Sequence, residues 1–359
     1  MTEIINPINW DSLVGSLQPE LFNYHGKIKS KFKDGDLSGN LIEDFELKLI
    51  WSGEGRVDWI KRIRENSDLG ECLEACKSRL NEKYNATWLK RYHNLYYGIK
   101  NDGYKVTKSP IIAIKLKDEK YYRMDGTHRS SVLFDLGVEQ VGVLVFEFED
   151  IRANFPVLDA KYEQWVLENY QNYQKFDKDG ESRIKDRYAN LVEITRKYFS
   201  GKTIGDVGCN AGYLSILLAN DDGAISVSGF DISELDIAAA EVHAKRRCNF
   251  PEKMTFHLGH AMGNLSRILG CEVLFFIRSI YHLGNDANTI TKAIKPGTTV
   301  IIECNKGHKK NLPDPDKVEP RAGKRLALKI NLVPYLEMMG FRIEETLKNV
   351  DDVVIAVKI

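Results

Sequence analysis

The second half of the chain alternates short apolar runs with amphipathic segments, and this alternation restricts the fold more than any other feature. From Thr203 onward the apolar runs include TIGDVG, AISVSGFDI, EVLFFIRS and TTVIIECN, and segments such as ELDIAAAEVHAKRR separate them. The run EVLFFIRS is apolar at consecutive positions, which is typical of a strand buried on both faces. Because strands that alternate with helices form parallel sheets covered by helices, the pattern predicts an α/β domain.

The turn between the first strand and the first helix of this region has the sequence DVGCNAG, from Asp206 to Gly212. Glycines at such a turn let the backbone approach a ligand closely and expose the N–H groups of the helix. Asp231 stands at the end of the second strand, where an acidic side chain can accept hydrogen bonds from both hydroxyls of a ribose. The glycine spacing of dinucleotide-binding folds, Gly-x-Gly-x-x-Gly, is absent here.

These residues resemble the class I S-adenosylmethionine-dependent methyltransferase family over roughly residues 160–359. That family has an acidic residue followed by Gly-x-Gly-x-Gly, and Asn210 stands here in place of the middle glycine. The resemblance implies a Rossmann-like, seven-stranded sheet that ends in an antiparallel hairpin, with S-adenosylmethionine as cofactor. The cofactor-binding residues that it implies are Asp206, Gly208, Cys209, Asn210, Gly212, Asp231, Ile232, His260, Ala261, Arg278 and Ser279.

The segment SIYHL, from Ser279 to Leu283, resembles methyltransferases that modify sugars, polysaccharide-terminal phosphates or the tRNA wobble uridine. His282 is the candidate catalytic base, since an imidazole titrates near neutral pH and can take a proton from a hydroxyl. Alternatively, His282 only packs against the cofactor or binds substrate. If the acceptor is a phosphate, no base is needed. Tyr281, Glu303 and Arg187 are candidate substrate contacts. The alternatives are a loop-capping role for Glu303 and a solvated helix face for Arg187.

The N-terminal half has a hairpin, IIAIKLK and YYRM, followed by DGTHR at the start of a helix and by the strand VGVLVFEF. Backbone N–H groups and the guanidinium of Arg129 converge there on a place for an anion. Roughly residues 90–150 resemble the ParB/sulfiredoxin fold, which implies a phosphate- or nucleotide-binding site at Gly126, Thr127, His128 and Arg129. Thr127 replaces the reactive cysteine of sulfiredoxin, which argues against sulfinic-acid reduction. Alternatively, the segment is a structural turn.

One branch of that fold comprises small-molecule kinases, and its turn is similar to DGTHR. The resemblance therefore implies ATP or another nucleotide as a ligand of the N-terminal domain. We expect two domains: residues 1–150, an α+β ParB/sulfiredoxin-like domain with a helical N-terminal extension, and residues 151–359, the methyltransferase domain.

Charge and composition exclude several classes of protein. The 359 residues include 51 Lys and Arg and 51 Asp and Glu. The chain therefore has no surplus of basic residues to bind the phosphates of a nucleic acid. Binding of DNA is therefore not expected, and RNA is not the favoured partner. No run of 18 apolar residues predicts a membrane span, and the N-terminus lacks the pattern of a secretory signal.

Six scattered cysteines fit reduced thiols and a cytoplasmic protein. No metal site is expected, because Cys72 and Cys76 have no second pair at zinc-finger spacing.

The sequence thus predicts a methyltransferase that acts on an oxygen of a small molecule, a sugar or a phosphate, with an N-terminal domain that binds a nucleotide or phosphorylated substrate and is a candidate kinase. The alternative is an RNA methyltransferase, acting on tRNA, whose N-terminal domain holds the RNA. A third reading, a non-enzymatic nucleotide sensor, is disfavoured by the intact Asp206, Gly208, Gly212 and Asp231.

Overall fold

The computed structural model describes residues 7–50, 57–81, 84–106, 110–116, 120–170, 185–303, 332–347 and 353–359. The helices are α1 (Trp10–Lys33), α2 (Val57–Glu65), α3 (Leu69–Cys76), α4 (Ala86–Asp102), α5 (Thr127–Asp135), α6 (Phe148–Asn154), α7 (Pro156–Asn169), α8 (Lys185–Phe199), α9 (Tyr213–Asn220), α10 (Glu234–Arg247), α11 (Leu265–Ile268), α12 (Asp286–Ala293) and α13 (Leu332–Met338). The strands are β1 (Asn40–Glu46), β2 (Ile111–Lys115), β3 (Tyr121–Asp125), β4 (Gln140–Glu147), β5 (Thr203–Val207), β6 (Ser226–Asp231), β7 (Met254–Leu258), β8 (Val273–Ile277), β9 (Thr299–Glu303), β10 (Phe341–Leu347) and β11 (Val353–Lys358).

The chain divides into two compact units. As far as their residues are described, the N-terminal unit is Trp10–Tyr162, and the C-terminal unit is Met1–Asn9 with Glu163–Ile359. The expected boundary at residue 150 falls inside α6, and α7 begins two residues after α6 ends. Pro156 is the first residue of α7, where the missing N–H costs nothing, so this proline starts a helix and does not mark a loop.

Aromatic packing explains why the N-terminal unit extends to Tyr162. The ring of Tyr162 lies 5.8 Å from that of Phe148, and the guanidinium of Arg152 lies 3.6 Å from the centre of the Tyr162 ring. These contacts hold the first half of α7 against α6. Sequence alone gave no sign of them, because no local pattern connects Tyr162 with Phe148.

The N-terminal unit contains a four-stranded sheet in the order β1-β4-β2-β3. The predicted β2–β3 hairpin is antiparallel, and β4 returns parallel to β2 after α5. A buried cluster fills the space between this sheet and helices α2 to α5, and it includes Ile63, Tyr92, Tyr96, Ile111 and Val143. The turn at the start of α5 is therefore fixed by a packed core.

The C-terminal unit contains a seven-stranded sheet in the order β10-β11-β9-β8-β5-β6-β7. Strands β5 to β9 are parallel, and β11 is antiparallel to both β9 and β10. This topology confirms the predicted seven-stranded, Rossmann-like sheet with a terminal antiparallel hairpin. All five residues of β8 are buried, as the doubly apolar pattern predicted.

Strand β5 lies between β6 and β8, and this arrangement places the candidate site. Strands β6 and β7 follow β5 in the chain and lie on one side of it, whereas the next strand, β8, lies on its other side. At such a topological switch point, consecutive connections leave on opposite faces of the sheet. A crevice then opens at the carboxyl ends of the strands, where α/β proteins bind ligands.

Some sequence predictions fall outside the described residues. The thiol of Cys304, predicted to be reduced, lies in residues 304–331, outside the described ranges, and α13 is the first described helix after them. Cys72, Cys76, Cys209, Cys248 and Cys271 are free thiols. In the part of the chain that the structure describes, no helix has both the length and the apolar surface to cross a membrane.

A pair of glycine substitutions tests the packing at the start of α5. Gly126 has φ +94°, and an added Cβ would lie 2.9 Å from Cγ1 and 3.0 Å from Cα of Ile111. Gly137 also has a positive φ, +73°, but a Cβ there meets nothing within 4 Å. We expect Gly126→Ala to lower the free energy of unfolding by about 1–3 kcal/mol more than Gly137→Ala, measured by urea denaturation. Equal losses would contradict the close approach to Ile111.

Candidate functional site

The loop from Gly208 to Gly212 joins β5 to α9 and needs glycine at both ends. Gly208 has φ +81°, and an added Cβ would lie 2.4 Å from Cβ of Ser279. Gly212 has φ +74°, and its Cβ would lie 2.9 Å from Cβ of Ala240. The backbone N–H groups of Gly208 and Cys209 both donate to the carbonyl of Phe230, at 2.8 and 3.0 Å. The loop is thus held between the ends of β6 and β8.

The carboxylate of Asp231 lies at the end of β6, beside this loop. Its Oδ2 accepts the N–H of Asn210 at 2.9 Å, and its Oδ1 accepts the N–H of Ser233 at 2.9 Å. Burial raises the pKa of Asp231, while the N–H groups of Ser233, Asn210 and Ile232 and the charge of His282 act to lower it. Each carboxylate oxygen can accept about two hydrogen bonds, so Asp231 retains capacity for hydroxyl donors.

Asp206 lies on β5 beneath the loop and is only 2% exposed. The hydroxyl of Ser215 donates to its Oδ2 at 2.7 Å. Burial, together with the nearby charge of Asp231, raises the pKa of Asp206 to about 7, against the opposing effect of the hydrogen bond from Ser215. A cationic group arriving next to Asp206 would favour the ionised carboxylate, because opposite charges lower the pKa of an acid.

The end of β7 lies next to Asp231. The N–H of Gly259 donates to the carbonyl of Asp231 at 2.9 Å, and Gly259 has φ +126°. His260 follows, with its Nε2 3.3 Å from Oδ2 of Asp286 at the start of α12. Ala261 is buried. The structure therefore brings His260 and Ala261, two of the predicted cofactor-binding residues, to the same edge of the sheet as Asp231.

The end of β8 has an unusual backbone. Arg278 has φ +58°, a conformation that is rare for bulky residues and is concentrated at functional sites. Its N–H donates to the carbonyl of Glu303 at 2.8 Å, and its Nε donates to Oε1 of Glu303 at 2.7 Å. The next residue, Ser279, is buried, and its Oγ has no hydrogen-bond partner among the described residues. The side chain of Ser279 lies against Gly208, since a Cβ added at that glycine would lie 3.2 Å from the Oγ of Ser279.

The aromatic–histidine pair predicted at this edge lies on a short turn after Ser279. The rings of Tyr281 and His282 are 4.4 Å apart, and His282 is exposed. The charge of His282 lowers the pKa of Asp231, so the imidazole lies near that carboxylate. The structure therefore brings His282 and Asp231 together at the carboxyl edge of the sheet.

Glu303 ends β9 and is fully buried. Its Oε1 accepts hydrogen bonds from the guanidinium groups of Arg278 and Arg187, the latter on α8. This carboxylate therefore orients two arginines at the edge of the site. The predicted direct contact between Glu303 and a substrate stays a prediction.

Two residues that hold Asn210, Tyr170 and Asp236, could not be identified from the sequence. Asn210 has φ +51°, its Oδ1 accepts the hydroxyl of Tyr170 at 2.7 Å, and its Nδ2 donates to Oδ2 of Asp236 at 3.1 Å. Asparagine at a glycine position was the one available signal, since asparagine tolerates a positive φ better than most residues. The distance along the chain from Tyr170 left no local pattern to identify the partner.

The N-terminal unit has a separate pocket of about 380 Å³ at the start of α5. All four predicted anion-binding residues line it together with Asp125, and α4 adds four residues that sequence reasoning missed. The lining residues are Trp88, Arg91, Tyr92, Leu95, Asp125, Gly126, Thr127, His128 and Arg129. The ring of His128 lies 4.8 Å from that of Tyr92 and 5.7 Å from that of Trp88.

Asp125 organises the charges at this pocket. Its Oδ1 accepts the N–H of Gly126 at 2.6 Å, and its Oδ2 contacts Lys29 and, at 3.3 Å, Arg129. Burial alone would raise the pKa of Asp125, but these hydrogen bonds and charges lower it overall. Arg129 is thus oriented by an ionised carboxylate. Within the described ranges, no group of three or more His, Cys, Asp or Glu residues is arranged to hold a metal ion.

No protein-family profile matches this chain. A curated protein of Arabidopsis thaliana, described as a probable RNA methyltransferase, is 31% identical over 88 residues, which are 23% of this chain and 26% of that protein. The match thus spans about a quarter of the length of the curated relative.

Two solved structures are similar to part of the chain. The PH0226 protein of Pyrococcus horikoshii OT3 is 22% identical and matches over 54% of this chain and 99% of that one, with a TM-score of 0.40. Magnesium protoporphyrin IX methyltransferase of Synechocystis PCC 6803, solved with bound SAM, is 19% identical over 49% of this chain and 82% of that one, with a TM-score of 0.35.

The raised pKa of Asp206 gives a pH test. Between the ordinary value of 3.8 and about 7, the unfolded carboxyl is ionised while the folded one keeps its proton. The stability that this group contributes therefore falls as pH rises through that window. We expect the melting temperature of the wild type to fall more between pH 5 and pH 8 than that of Asp206→Asn, measured by calorimetry without ligand.

Asp222→Asn is the control for this experiment, because Asp222 is exposed. Its melting temperature should follow that of the wild type across the same pH range. Parallel curves for Asp206→Asn and the wild type would show that Asp206 does not titrate in this window.

Proposed function

We propose that the C-terminal unit is an S-adenosylmethionine-dependent methyltransferase. The observation that carries this proposal is the carboxylate of Asp231 beside a glycine loop at the switch point of a parallel sheet. An acid at this position accepts hydrogen bonds from the two hydroxyls of a ribose, and the glycines of the loop let the protein backbone approach the ligand closely. The 88-residue match to a curated methyltransferase supports the same reaction type.

The residues present fit the cofactor. Asp231 would hold the ribose, Ile232 and Gly259 to Ala261 would flank the adenine, and the Gly208 loop would pass beneath the amino-acid portion. The buried hydroxyl of Ser279 beside Gly208 supports this fit, because a buried hydroxyl without a described partner gains a hydrogen bond from a polar ligand. The buried carboxyl of Asp206 would stabilise the positive charge of the cofactor. When bound, S-adenosylmethionine supplies a methyl group attached to a positively charged sulfur.

The acceptor in this proposal is an oxygen of a small molecule, a sugar or a phosphate. The exposed imidazole of His282 is placed to take the proton from a hydroxyl as the new bond to carbon forms. A phosphate acceptor carries no such proton, and catalysis would then depend on alignment alone. Tyr281 and the two arginines oriented by Glu303 provide the groups that would hold the acceptor.

An RNA acceptor is the second candidate, favoured by the curated relative described as an RNA methyltransferase. One experiment separates the two acceptors. The protein is incubated with S-adenosylmethionine labelled in its methyl group and with fractionated cell extract, and label is then sought in the RNA, glycan and small-molecule fractions. We expect label in glycans or small molecules. Label confined to RNA would support the alternative, and no label in any fraction would contradict methyl transfer.

Replacement of Asp231 tests the cofactor site. Asp231→Ala removes the proposed charge-assisted hydrogen bonds to the ribose, worth about 1.5–3 kcal/mol, so we expect roughly tenfold to hundredfold weaker binding of S-adenosylhomocysteine. Isothermal titration calorimetry measures this affinity. Asp222→Ala, at an exposed aspartate, is the control and should bind as the wild type does. Equal affinities for Asp231→Ala and the wild type would remove Asp231 from the cofactor site.

We also propose that the pocket of the N-terminal unit binds a phosphate group, as part of a nucleotide or a phosphorylated substrate. The supporting observation is that Gly126 to Arg129 line one pocket with a second arginine, Arg91. The N-terminus of α5 adds N–H groups and the positive end of its dipole. We propose binding alone at this pocket, because nothing among the described residues favours phosphoryl transfer.

Arg129→Lys tests this second site. A guanidinium can give two directed hydrogen bonds to a phosphate, and a lysine cannot reproduce them. We expect millimolar ATP, ADP or CTP to raise the melting temperature of the wild type and to leave that of Arg129→Lys nearly unchanged, in a thermal-shift assay. Binding of S-adenosylhomocysteine should persist in the variant. A wild-type melting curve that no nucleotide moves would contradict nucleotide binding.

A further inference from the structure

Asn210 is the point where three parts of the C-terminal unit meet the glycine loop. Its main-chain N–H donates to Asp231 on β6, its side-chain amino group donates to Asp236 on α10, and its side-chain carbonyl accepts the hydroxyl of Tyr170. Asn210 and Arg278 are the two non-glycine residues with positive φ in the described chain. The hydrogen bonds of its side chain hold Asn210 in this uncommon conformation.

Tyr170 contacts the loop through the side chain of Asn210. It follows the last residue of α7 and is 1% exposed. Its ring packs edge-on against that of His243 at 6.1 Å, and Nδ1 of His243 contacts the carbonyl of Ala211 at 3.2 Å. Burial lowers the pKa of His243 to about 4, so this supporting imidazole is neutral at physiological pH. Tyr170 and His243 are therefore uncharged, buried side chains that contact two consecutive loop residues, Asn210 and Ala211.

The partners of Asn210 fix the orientation of its amide. The hydroxyl of Tyr170 can donate to the carbonyl oxygen, and the carboxylate of Asp236 can only accept from the amino group when ionised. A flipped amide would place the carbonyl oxygen against the carboxylate of Asp236. The two partners thus anchor the side chain of Asn210 from both ends of its amide, and this anchoring restrains the position of the residue whose main-chain N–H reaches Asp231.

We propose that Tyr170 is a positioning residue for the cofactor: its hydroxyl fixes Asn210, and Asn210 fixes the carboxylate that receives the ribose. This inference rests on the proposed cofactor site at Asp231. Tyr170 does not touch the cofactor in this account and acts only through the asparagine. In a protein with glycine at position 210, the tyrosine hydroxyl would have no such role.

A double-mutant cycle on the full-length chain tests this coupling, with S-adenosylhomocysteine as the probe in titration calorimetry. We expect Tyr170→Phe to weaken binding by roughly three- to tenfold, the effect of losing one intramolecular hydrogen bond. Asn210→Gly loses both side-chain hydrogen bonds of the asparagine and should weaken binding at least as much. Glycine accepts the positive φ of position 210, so Asn210→Gly removes the side-chain contacts without straining the loop. Adding Tyr170→Phe to Asn210→Gly should change the affinity by less than about twofold, because the hydrogen bond between the tyrosine and the asparagine is already absent.

Tyr335→Phe is a matched control. Tyr335 is also fully buried, and its hydroxyl donates to the side-chain oxygen of an asparagine, Asn288, at 2.9 Å. It lies on α13, outside the loop. We expect Tyr335→Phe to lower the melting temperature as Tyr170→Phe does, while its affinity for S-adenosylhomocysteine stays at the wild-type value.

Three results would overturn the inference. Tyr170→Phe could lower the melting temperature but bind S-adenosylhomocysteine as tightly as the wild type, which would make the tyrosine a stabilising residue only. Tyr170→Phe could weaken binding equally in the Asn210→Gly background, which would exclude action through the asparagine. Asn210→Gly could bind as the wild type, and this result decides the question even if Tyr170→Phe fails to fold. Failure of the wild type itself to bind would instead contradict the proposed cofactor site.

Discussion

The pairing of β5 with β6 on one side and with β8 on the other is the constraint on which the candidate site depends. Because the chain reverses direction across the sheet at β5, the loops after β5 and β8 diverge at their carboxyl ends. The glycine loop after β5 is held between the ends of β6 and β8, and Ser279 lies so close to Gly208 that no side chain fits there. The features of the site follow from this geometry: the carboxylate beside the loop, the buried acid beneath it and the strained arginine after β8.

Opposite charges are separated within this small region. Asp206 and Asp231 lie near the glycine loop, whereas Arg187 and Arg278 gather around the buried carboxylate of Glu303. Burial raises the pKa values of both aspartates, so the apo site favours a ligand that brings positive charge or hydrogen-bond donors to them. The arginine side suits an acceptor with oxygen atoms. This separation is consistent with a cationic cofactor next to an oxygen nucleophile.

The sequence predicted the features that local patterns encode. The alternation of apolar runs predicted the seven-stranded sheet, and the glycine turn and Asp231 were placed correctly at neighbouring strand ends. The hydrogen bond between Tyr170 and Asn210 and the two arginines on Glu303 could not be predicted, because each joins residues far apart in the chain. The extension of the N-terminal unit to Tyr162 could not be predicted either, because the ring packing between Tyr162 and Phe148 has no signature in either segment.

A crystal structure of the full-length protein with S-adenosylhomocysteine tests the central claim most directly. We expect the ribose hydroxyls to donate to the carboxylate of Asp231, with the adenine against Gly259 to Ala261 and the amino-acid portion over the Gly208 loop. The proposed cofactor site would be contradicted by a nucleoside that binds elsewhere. It would also be contradicted by a crystal with the ligand at full occupancy in which Asp231 keeps only its main-chain partners.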